Sequence, residues 1–232
     1  MMALKIYKDL EQGTDEWFQA RCGVLTASLI GKLLTKTCSA IAKNDTAERV
    51  ILDILGQRIN GIGDESFQTF AMQRGHEDEM EAKILYSKHV APVSEIGFMT
   101  NDKWGFTLGY SPDGLVGEDG LIECKSRLSG LQMQTICSQN VPIEYMPQIQ
   151  TGLMVSGRRW LDFISFPALG GGKMMVKRVY SDPKFQALLL DAAAHLEAKI
   201  KSYQAEYEAA LHNPDLRLID TERRENPEEI MV

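Results

Sequence analysis

The stretch at 111–127, SPDGLVGEDGLIECKSR, constrains this chain more than any other part of its sequence. Its second half is typical of a β-strand, along which side chains alternate between the two faces. Glu123 and Lys125 therefore share one face, and Ile122 and Cys124 share the other. The second face suits a hydrophobic core, so the first face must meet either solvent or a polar site.

Glycines on either side of an acidic dipeptide predict a turn that folds this strand back on the residues before it. With a four-residue loop at Gly117–Gly120, Asp113 lies opposite Cys124 and diagonal to Glu123. A register shifted by one residue places Asp113 directly opposite Glu123. Either register brings the two carboxylates and the ammonium group of Lys125 into one small neighbourhood.

Two carboxylates at such short range repel each other unless a cation lies between them. Mg²⁺ fits such a pair, because it takes one or two carboxylates and completes its coordination with water and substrate phosphate. A neighbouring lysine can orient the attacking water or help to deprotonate it. Asp113, Glu123 and Lys125 thus favour metal-assisted hydrolysis of a phosphodiester, although a surface hairpin with an ion pair would show the same residues.

The net charge of −7 at first argues against a nucleic-acid partner. The acidic excess is uneven, however, because residues 186–232 hold ten acidic and five basic side chains. Residues 1–185 hold 22 acidic and 20 basic side chains. If several of those acids bind metal, the working surface is near neutral or basic, and a DNA substrate remains compatible with the charge.

The cysteines show neither CxxC spacing nor paired histidines, which argues against a zinc site. The N-terminal residues contain no apolar segment typical of a secretion signal, and no stretch is long and apolar enough to span a membrane. We therefore expect reduced thiols and a cytoplasmic location, in a bacterial or phage-infected host cell. The four cysteines are Cys22, Cys38, Cys124 and Cys137.

The residues at 65–89 predict a long helix that carries a further acidic group. Glu77 falls on the apolar stripe of this helix, whereas Asp78 and Glu79 rotate away toward solvent. A carboxylate on a buried stripe needs a partner, so Glu77 is expected to join the site formed by the hairpin. The apolar residues assigned to the stripe are Phe70, Met80 and Ile84.

Helices precede a cluster of strands, and a helical crossover and two further strands follow, which predicts an α/β fold with a central mixed β-sheet flanked by helices. No repeat or linker divides the chain, so we expect one domain over 1–232. Its core covers about 15–180, and a helix with an acidic tail covers about 183–232. The predicted strands lie at 93–100, 106–114, 120–126, 158–166 and 173–180, and the crossover helices at about 129–139 and 143–156.

Five stretches occur together in an order that resembles the lambda-exonuclease family, the YqaJ-like viral recombinases of the PD-(D/E)xK nuclease superfamily. The resemblance implies a restriction-endonuclease-like fold over roughly residues 15–180. The D…ExK pattern is shared by the whole superfamily. The combination of R-x-G-V-x-T-A-S with G-x-x-x-E and Q-x-Q is much more specific. The stretches are RCGVLTAS at 21–28, RGHEDEMEAK at 74–83, SPDG at 111–114, LIECK at 121–125 and PQIQTGLMVSG at 147–157.

The resemblance implies a metal site at the hairpin. Mg²⁺, with Mn²⁺ as a substitute, would be bound by Asp113, Glu123 and the backbone carbonyl of Cys124. Lys125 would position the attacking water, and Glu77 would complete the acidic site toward a second metal. Among the remaining matches, Gln148 corresponds to a glutamine near the scissile phosphate, and the role of Gln150 stays open.

The resemblance also implies a pocket for the 5′-terminal phosphate, formed by Arg21, Ser28 and Thr26. A helix start with hydroxyls and an arginine suits a phosphate dianion, although the same hydroxyls could merely cap a helix. A further basic residue of this pocket is either Lys36 or Lys43, because the sequence between them matches the family poorly.

The implied activity is 5′→3′ degradation of one strand of linear duplex DNA. Mononucleotides would be released, and a 3′ overhang would remain for recombination by strand annealing. The resemblance also implies a ring-shaped homotrimer around the DNA, a single-strand annealing protein as partner and no membrane association. Two alternatives stay open: an endonuclease or junction resolvase of the same fold, and a catalytically silent DNA-binding scaffold.

Overall fold

The computed structural model of the chain describes residues 4–63 and 70–222. This part of the chain contains eight strands and seven helices, with short 3₁₀ turns at Gly31–Leu33 and Ile143–Tyr145. The strands are β1 Leu4–Tyr7, β2 Leu25–Thr26, β3 Phe98–Asn101, β4 Leu108–Tyr110, β5 Gly114–Val116, β6 Gly120–Arg127, β7 Trp160–Pro167 and β8 Met175–Tyr180. The helices are α1 Asp15–Arg21, α2 Ala27–Ile30, α3 Asp45–Asn60, α4 Phe70–His89, α5 Ser129–Ser138, α6 Met146–Ser156 and α7 Pro183–Leu211.

Within the described residues, the strands form two mixed four-stranded sheets, ordered β1-β3-β4-β2 and β5-β6-β7-β8. In the second sheet β6 runs parallel to β7, and β5 and β8 are antiparallel to their neighbours. Helix α4 packs against β6 and β7, while α6 lies against β4, β3 and β7. The predicted mixed sheet flanked by helices is thus confirmed, and a second mixed sheet joins it.

The β5–β6 hairpin sets the position of the acidic residues. Gly114 pairs with Ile122 and Val116 pairs with Gly120, so the loop contains three residues, 117–119. The four-residue loop expected from the sequence is wrong by one residue, because Gly120 already pairs in the ladder. The observed register is the shifted alternative, which continues to place Asp113 across from Glu123.

The two faces of β6 belong to different layers. Ile122 and Cys124 pack in a cluster with Ala82 and Tyr86 of α4. Leu121, on the opposite face, belongs to the larger core that includes α3, α6 and α7. The alternation read from the sequence therefore holds, and the face carrying Glu123 and Lys125 points away from α4.

The long helix α7 covers this larger core with its first half. Leu189, Leu196 and Ile200 are buried there, and Arg58 of α3 makes two 2.7 Å hydrogen bonds to the carboxylate of Glu197. The pair ties α3 to α7, which also pack against each other. In the described part of the chain, no helix is both long and apolar enough to cross a membrane.

The buried face of α4 differs from the sequence expectation. Met80 is 47% exposed and Ile84 is 67% exposed, so the apolar residues assigned to the buried stripe lie on the outer side. Asp78, Ala82 and Tyr86, spaced by four residues, form the buried face instead. The assignment of Phe70 to the stripe concerns a side chain outside the described part of the structure.

Asp78 can be buried because its carboxylate has two donors. The Ser126 hydroxyl donates to Oδ2 at 2.5 Å, and the backbone N–H of Leu169 donates to Oδ1 at 3.1 Å. A buried carboxylate is tolerated when it is hydrogen-bonded in this way. The sequence pattern missed this because the partners come from β6 and the β7–β8 loop, far along the chain.

Candidate active site

Glu123 lies at the centre of the polar cluster on β6. Its side chain is 0% exposed, and three donors converge on it. Lys125 Nζ lies 2.7 Å and Gln148 Nε2 lies 2.5 Å from Oε1, while Tyr110 Oη lies 3.1 Å from Oε2. The expected proximity of Glu123, Lys125 and Gln148 is therefore present, and Tyr110 is a member that sequence reasoning missed.

Asp113 faces this cluster from the start of β5. Its Oδ2 accepts a 2.6 Å hydrogen bond from the backbone N–H of Cys124. Burial, followed by the charges of Glu123 and Glu79, raises the pKa of Asp113 well above its usual range. A carboxyl group that burial and two like charges disfavour as an anion is one that a cation would stabilise.

Lys125 remains a cation in this setting. Burial alone would lower the pKa of Lys125, but the charges of Glu123 and Asp113 outweigh it and raise the pKa above its usual range. Its ammonium group therefore donates to Glu123 and is available to orient a polar ligand. Cys124 is buried, and burial raises the pKa of its thiol well above the usual range, which makes it a core residue.

The third carboxylate near the cluster is Glu79, and the placement of Glu77 on the buried stripe is wrong. Glu77 is exposed and accepts only a 3.3 Å hydrogen bond from Gln73 among the described residues. Glu79 acts electrostatically on both Asp113 and Cys124, and forms a 3.0 Å ion pair with Lys83. The spacing G-x-x-x-E, counted from Gly75, ends at Glu79 and was the signal that could have identified it.

The donor set suits magnesium better than zinc. Within residues 4–63 and 70–222, no group of three or more His, Cys, Asp and Glu side chains is arranged to enclose a metal ion. Asp113 and Glu123 instead form a pair of neighbouring carboxylates, in which burial and the charge of Glu123 raise the pKa of Asp113. Mg²⁺ needs only one or two carboxylates and retains waters, so these two residues fit it.

A second polar site surrounds Arg21 at the end of α1. Its Nη1 donates to the Ser111 hydroxyl at 2.9 Å, and its Nη2 lies 3.5 Å from the Ser28 hydroxyl. The hydroxyls of Thr26 and Ser28 are 3.1 Å apart. The structure therefore brings together the three residues expected from the sequence, and it adds Ser111, the first residue of the SPDG stretch.

Trp17 holds this site in shape. The guanidinium carbon of Arg21 lies 4.1 Å from the centroid of the Trp17 ring. The indole N–H of Trp17 donates to the Ser111 hydroxyl at 3.1 Å and to the carbonyl of Gly97 at 3.1 Å. Because the Ser111 oxygen accepts from Trp17 and Arg21, its own hydrogen is free to donate to a ligand.

Among the described residues, no carboxylate balances the charge of Arg21. Burial lowers the pKa of Arg21 to about 10, and no described charged residue offsets this shift. Its partners among the described residues are hydroxyls and aromatic rings. A half-buried guanidinium that donates to hydroxyls is suited to an anion such as a phosphate, which it can bind through two parallel hydrogen bonds.

The local structure beside Arg21 is shorter than the sequence suggested. The helix expected from Thr26 onward is the four-residue α2, which continues as a 3₁₀ turn at Gly31–Leu33. Thr26 occupies the N-cap position, but its side chain makes no capping hydrogen bond. The pocket must therefore depend on Arg21 and its hydroxyl neighbours rather than on a helix dipole.

Three other residues were considered from the sequence: Gln150, Lys36 and Lys43. Gln150 is fully buried, where its amide donates to the carbonyl of Tyr180 at 2.8 Å and accepts from the backbone N–H of Asp182 at 2.9 Å. It joins α6 to the start of α7, which is a structural role. Lys43 lines a cavity of about 460 Å³ with His195 of α7, and Lys36 is exposed.

The two-sheet architecture is a restriction-endonuclease-like fold, and it brings Asp113, Glu123 and Lys125 together in an arrangement that suits a nuclease site. The family model of the YqaJ-like viral recombinase domain matches residues 16–159. The chain belongs to this YqaJ-like viral recombinase family.

Solved structures agree with this assignment. An alkaline exonuclease from Laribacter hongkongensis is 31% identical, with a TM-score of 0.71, over 85% of this chain and 100% of that one. The same exonuclease in complex with dAMP gives the same values. A phage-related exonuclease from Haemophilus somnus 129PT is 13% identical with a TM-score of 0.60, over 79% of this chain and 96% of that one, and it shows the fold alone. No curated protein sequence matches the chain. Family and relative together support a DNA exonuclease.

Proposed function

We propose that this protein is a Mg²⁺-dependent exonuclease that degrades one strand of linear duplex DNA in the 5′→3′ direction. It would release 5′-mononucleotides and leave 3′ single-stranded overhangs for phage-type recombination by strand annealing. The observation that carries the proposal is the connection of two sites by one short segment. Ser111 touches Arg21, and Asp113, two residues later, faces Glu123.

The spacing of the two sites supports cleavage at a chain end. Two residues of extended backbone span about 7 Å. That span is close to the separation of neighbouring phosphates in a nucleic-acid strand. A terminal phosphate held by Arg21 would thus place the next phosphodiester near Asp113 and Glu123. The outcome is removal of one nucleotide at a time from a 5′ end.

The residues at the hydrolytic centre divide the work. Asp113 and Glu123, with the carbonyl of Cys124, would hold the ion, which would supply Lewis-acid stabilisation and lower the pKa of a coordinated water. The ammonium group of Lys125 would orient the attacking water, and Gln148 would contact the scissile phosphate. We include Glu79, rather than Glu77, as the carboxylate that completes the site, because Glu79 acts on Asp113.

The proposal extends to the assembly. A homotrimer that encircles the duplex would allow a chain of net charge −7 to retain DNA with few phosphate contacts. A single-strand annealing protein would receive the 3′ overhang. The place of action would be the cytoplasm of a bacterial or phage-infected cell, where linear duplex ends arise. The range 1–232 is proposed to act as one nuclease domain.

One cleavage experiment tests the activity. The protein with Mg²⁺ is incubated with 5′-phosphorylated linear duplex, the same duplex with 5′-hydroxyl ends, and closed circular plasmid. We expect fastest release of mononucleotides from the phosphorylated ends and an intact circle. Lys125→Ala serves as the matched inactive control, which should still bind duplex.

The other outcomes identify the alternatives. Nicking of the closed circle would show an endonuclease or resolvase and overturn the exonuclease. Absence of cleavage on every substrate, with retained DNA binding, would show a non-catalytic scaffold.

A further inference from the structure

Tyr110 makes a polar contact inside the core that the hydrolytic chemistry does not require. The residue is 1% exposed, and its hydroxyl lies 3.1 Å from Oε2 of Glu123. A phenol hydroxyl is a neutral donor, and here it points at a carboxylate oxygen, which can only accept, so Tyr110 donates to Glu123. Glu123 is therefore held from the interior side by a neutral donor.

The two carboxylate oxygens of Glu123 have different environments. Oε2 accepts from Tyr110, which lies in the core. Oε1 accepts from Lys125 and Gln148, whose side chains are only partly buried and therefore reach solvent. Carboxylate orientation decides which lone pairs a ligand can reach. The Tyr110 hydrogen bond thus fixes which oxygen faces inward and which faces outward.

The ring of Tyr110 is itself held tightly by α6. A Cβ added to Gly152 would lie 2.7 Å from Cζ of the Tyr110 ring, so a glycine is needed where α6 crosses this ring. The same Cβ would lie 2.8 Å from Cε1 of the ring. The hydroxyl has little freedom to leave Oε2, because backbone rather than a flexible side chain confines the ring.

We propose that Tyr110 is a positioning residue that turns Oε2 of Glu123 inward and presents Oε1 to the divalent ion. This inference rests on the proposed metal-dependent function. Without the hydroxyl, Oε2 would be a buried oxygen with no donor among the described residues. The carboxylate would then be free to rotate so that Oε2 also turns toward Lys125 and Gln148. The direction in which Oε1 points would change as a result.

The matched control is a second buried tyrosine that donates to a buried carboxylate. Tyr86 of α4 packs with Ile122 and Cys124 on the face of β6 opposite to Glu123, and its hydroxyl is 2.6 Å from Oδ2 of Asp162. Tyr86→Phe removes a comparable hydrogen bond away from the cluster. If Tyr110 only satisfies a buried group, Tyr110→Phe and Tyr86→Phe should affect stability and nothing else.

The test is a titration of DNA-free protein with Mn²⁺, in which electron paramagnetic resonance measures the concentration of the free ion. Residues that orient a metal ligand typically change affinity by about 10-fold to 100-fold when they are altered. We expect Tyr110→Phe to weaken Mn²⁺ binding by about 10-fold. Tyr86→Phe should bind Mn²⁺ as the parent does. In cleavage assays, Tyr110→Phe should need correspondingly more Mg²⁺ for half-maximal rate and recover most of its rate at saturation.

The possible results separate this inference from the function on which it rests. Parent-like Mn²⁺ affinity in folded Tyr110→Phe, or equal losses in Tyr110→Phe and Tyr86→Phe, would overturn the role of Tyr110. If the parent itself bound no Mn²⁺, the metal-dependent function would fail first. Should Tyr110→Phe melt below the assay temperature, Gly152→Ala replaces it, since the added methyl displaces the ring and keeps the hydroxyl. Unchanged affinity in that variant would also refute the inference.

Discussion

Arg21→Met is expected to make the protein more stable while it removes the preference for phosphorylated ends. The reason is that burial lowers the pKa of Arg21 to about 10, and no charged group among the described residues offsets this shift. A base with a lowered pKa in the folded state binds its proton less tightly than in the unfolded chain. Its destabilising effect is therefore full below about pH 10 and disappears as the pH rises into the ordinary pKa range of an arginine.

The magnitude follows from that shift. At about 1.4 kcal/mol per unit, holding the charged guanidinium in the free protein costs about 3 kcal/mol. The 2.9 Å bond to Ser111 and the stacking on Trp17 return part of this, together about 2 kcal/mol. Methionine has a similar length and no charge, so Arg21→Met should gain about 1 kcal/mol. For a chain of this size that raises Tm by about 3 °C.

Although Arg21→Met should gain stability, it should lose catalytic efficiency on phosphorylated ends. Charge-assisted hydrogen bonds to a phosphate are worth about 1.5–3 kcal/mol, which corresponds to about 10-fold to 100-fold in kcat/KM. We expect Arg21→Met to lose this factor on 5′-phosphorylated duplex and little on 5′-hydroxyl duplex. Arg21→Lys keeps a charge but loses the planar pair of donors, so it should recover only part of the preference.

Calorimetric melting and initial rates on the two duplexes measure both effects. Arg49→Met is the control, because Arg49 is exposed and, among the described residues, forms its ion pair with Asp53 at 2.9 Å. That variant should change stability by about 0.5 kcal/mol or less and leave the end preference intact. A lower Tm for Arg21→Met, or equal rate losses on both ends, would refute an anion pocket at Arg21.

Three further perturbations address the rest of the site. Glu79→Gln should weaken Mn²⁺ binding by about 10-fold, whereas Glu77→Gln should not, and a loss confined to Glu77→Gln in the same titration would reverse the assignment. Because the pKa of Asp113 is raised, metal-free protein should lose stability as the pH rises through the carboxyl range, and Mg²⁺ should raise Tm more near pH 9 than near pH 6. Asp113→Asn should flatten that difference in a thermal-shift series. Asp162→Ala should cost about 2–3 kcal/mol in urea unfolding, since it strands the buried Tyr86 hydroxyl.

The parts of the fold that were predicted well depend on local patterns. Strand alternation placed Glu123 and Lys125 on one face of β6. Of the two hairpin registers that the sequence allowed, one is the observed pairing of β5 with β6. The helix α7 begins at Pro183, where the sequence predicted its start. Such features are set by neighbours in sequence, so the chain alone carries the information.

The parts that failed depend on distant partners. Nothing in α4 itself shows that Asp78 is buried, because its donors come from Ser126 and the backbone of Leu169. The helical phase was therefore chosen from Met80 and Ile84, and this choice placed Glu77 on the buried stripe, whereas the structure exposes it. The length of the β5–β6 hairpin loop was also predicted wrongly by one residue. Gly120 can belong either to the turn or to the strand ladder, so the sequence does not fix the register.

The segment 110–113 shows why sequence reasoning reached only one of its functions. Asp113 is recognisable from its chemistry and its distance from Glu123. Ser111 and Tyr110 carry no such signal, because a hydroxyl and a phenol are common in strands and loops. Their roles arise only when β4 places Tyr110 behind Glu123 and turns Ser111 toward Arg21. Under the proposed function, this one short segment would join the reading of the DNA end, the positioning of a metal-binding carboxylate and the binding of the metal, so a shift of this backbone would impair all three together.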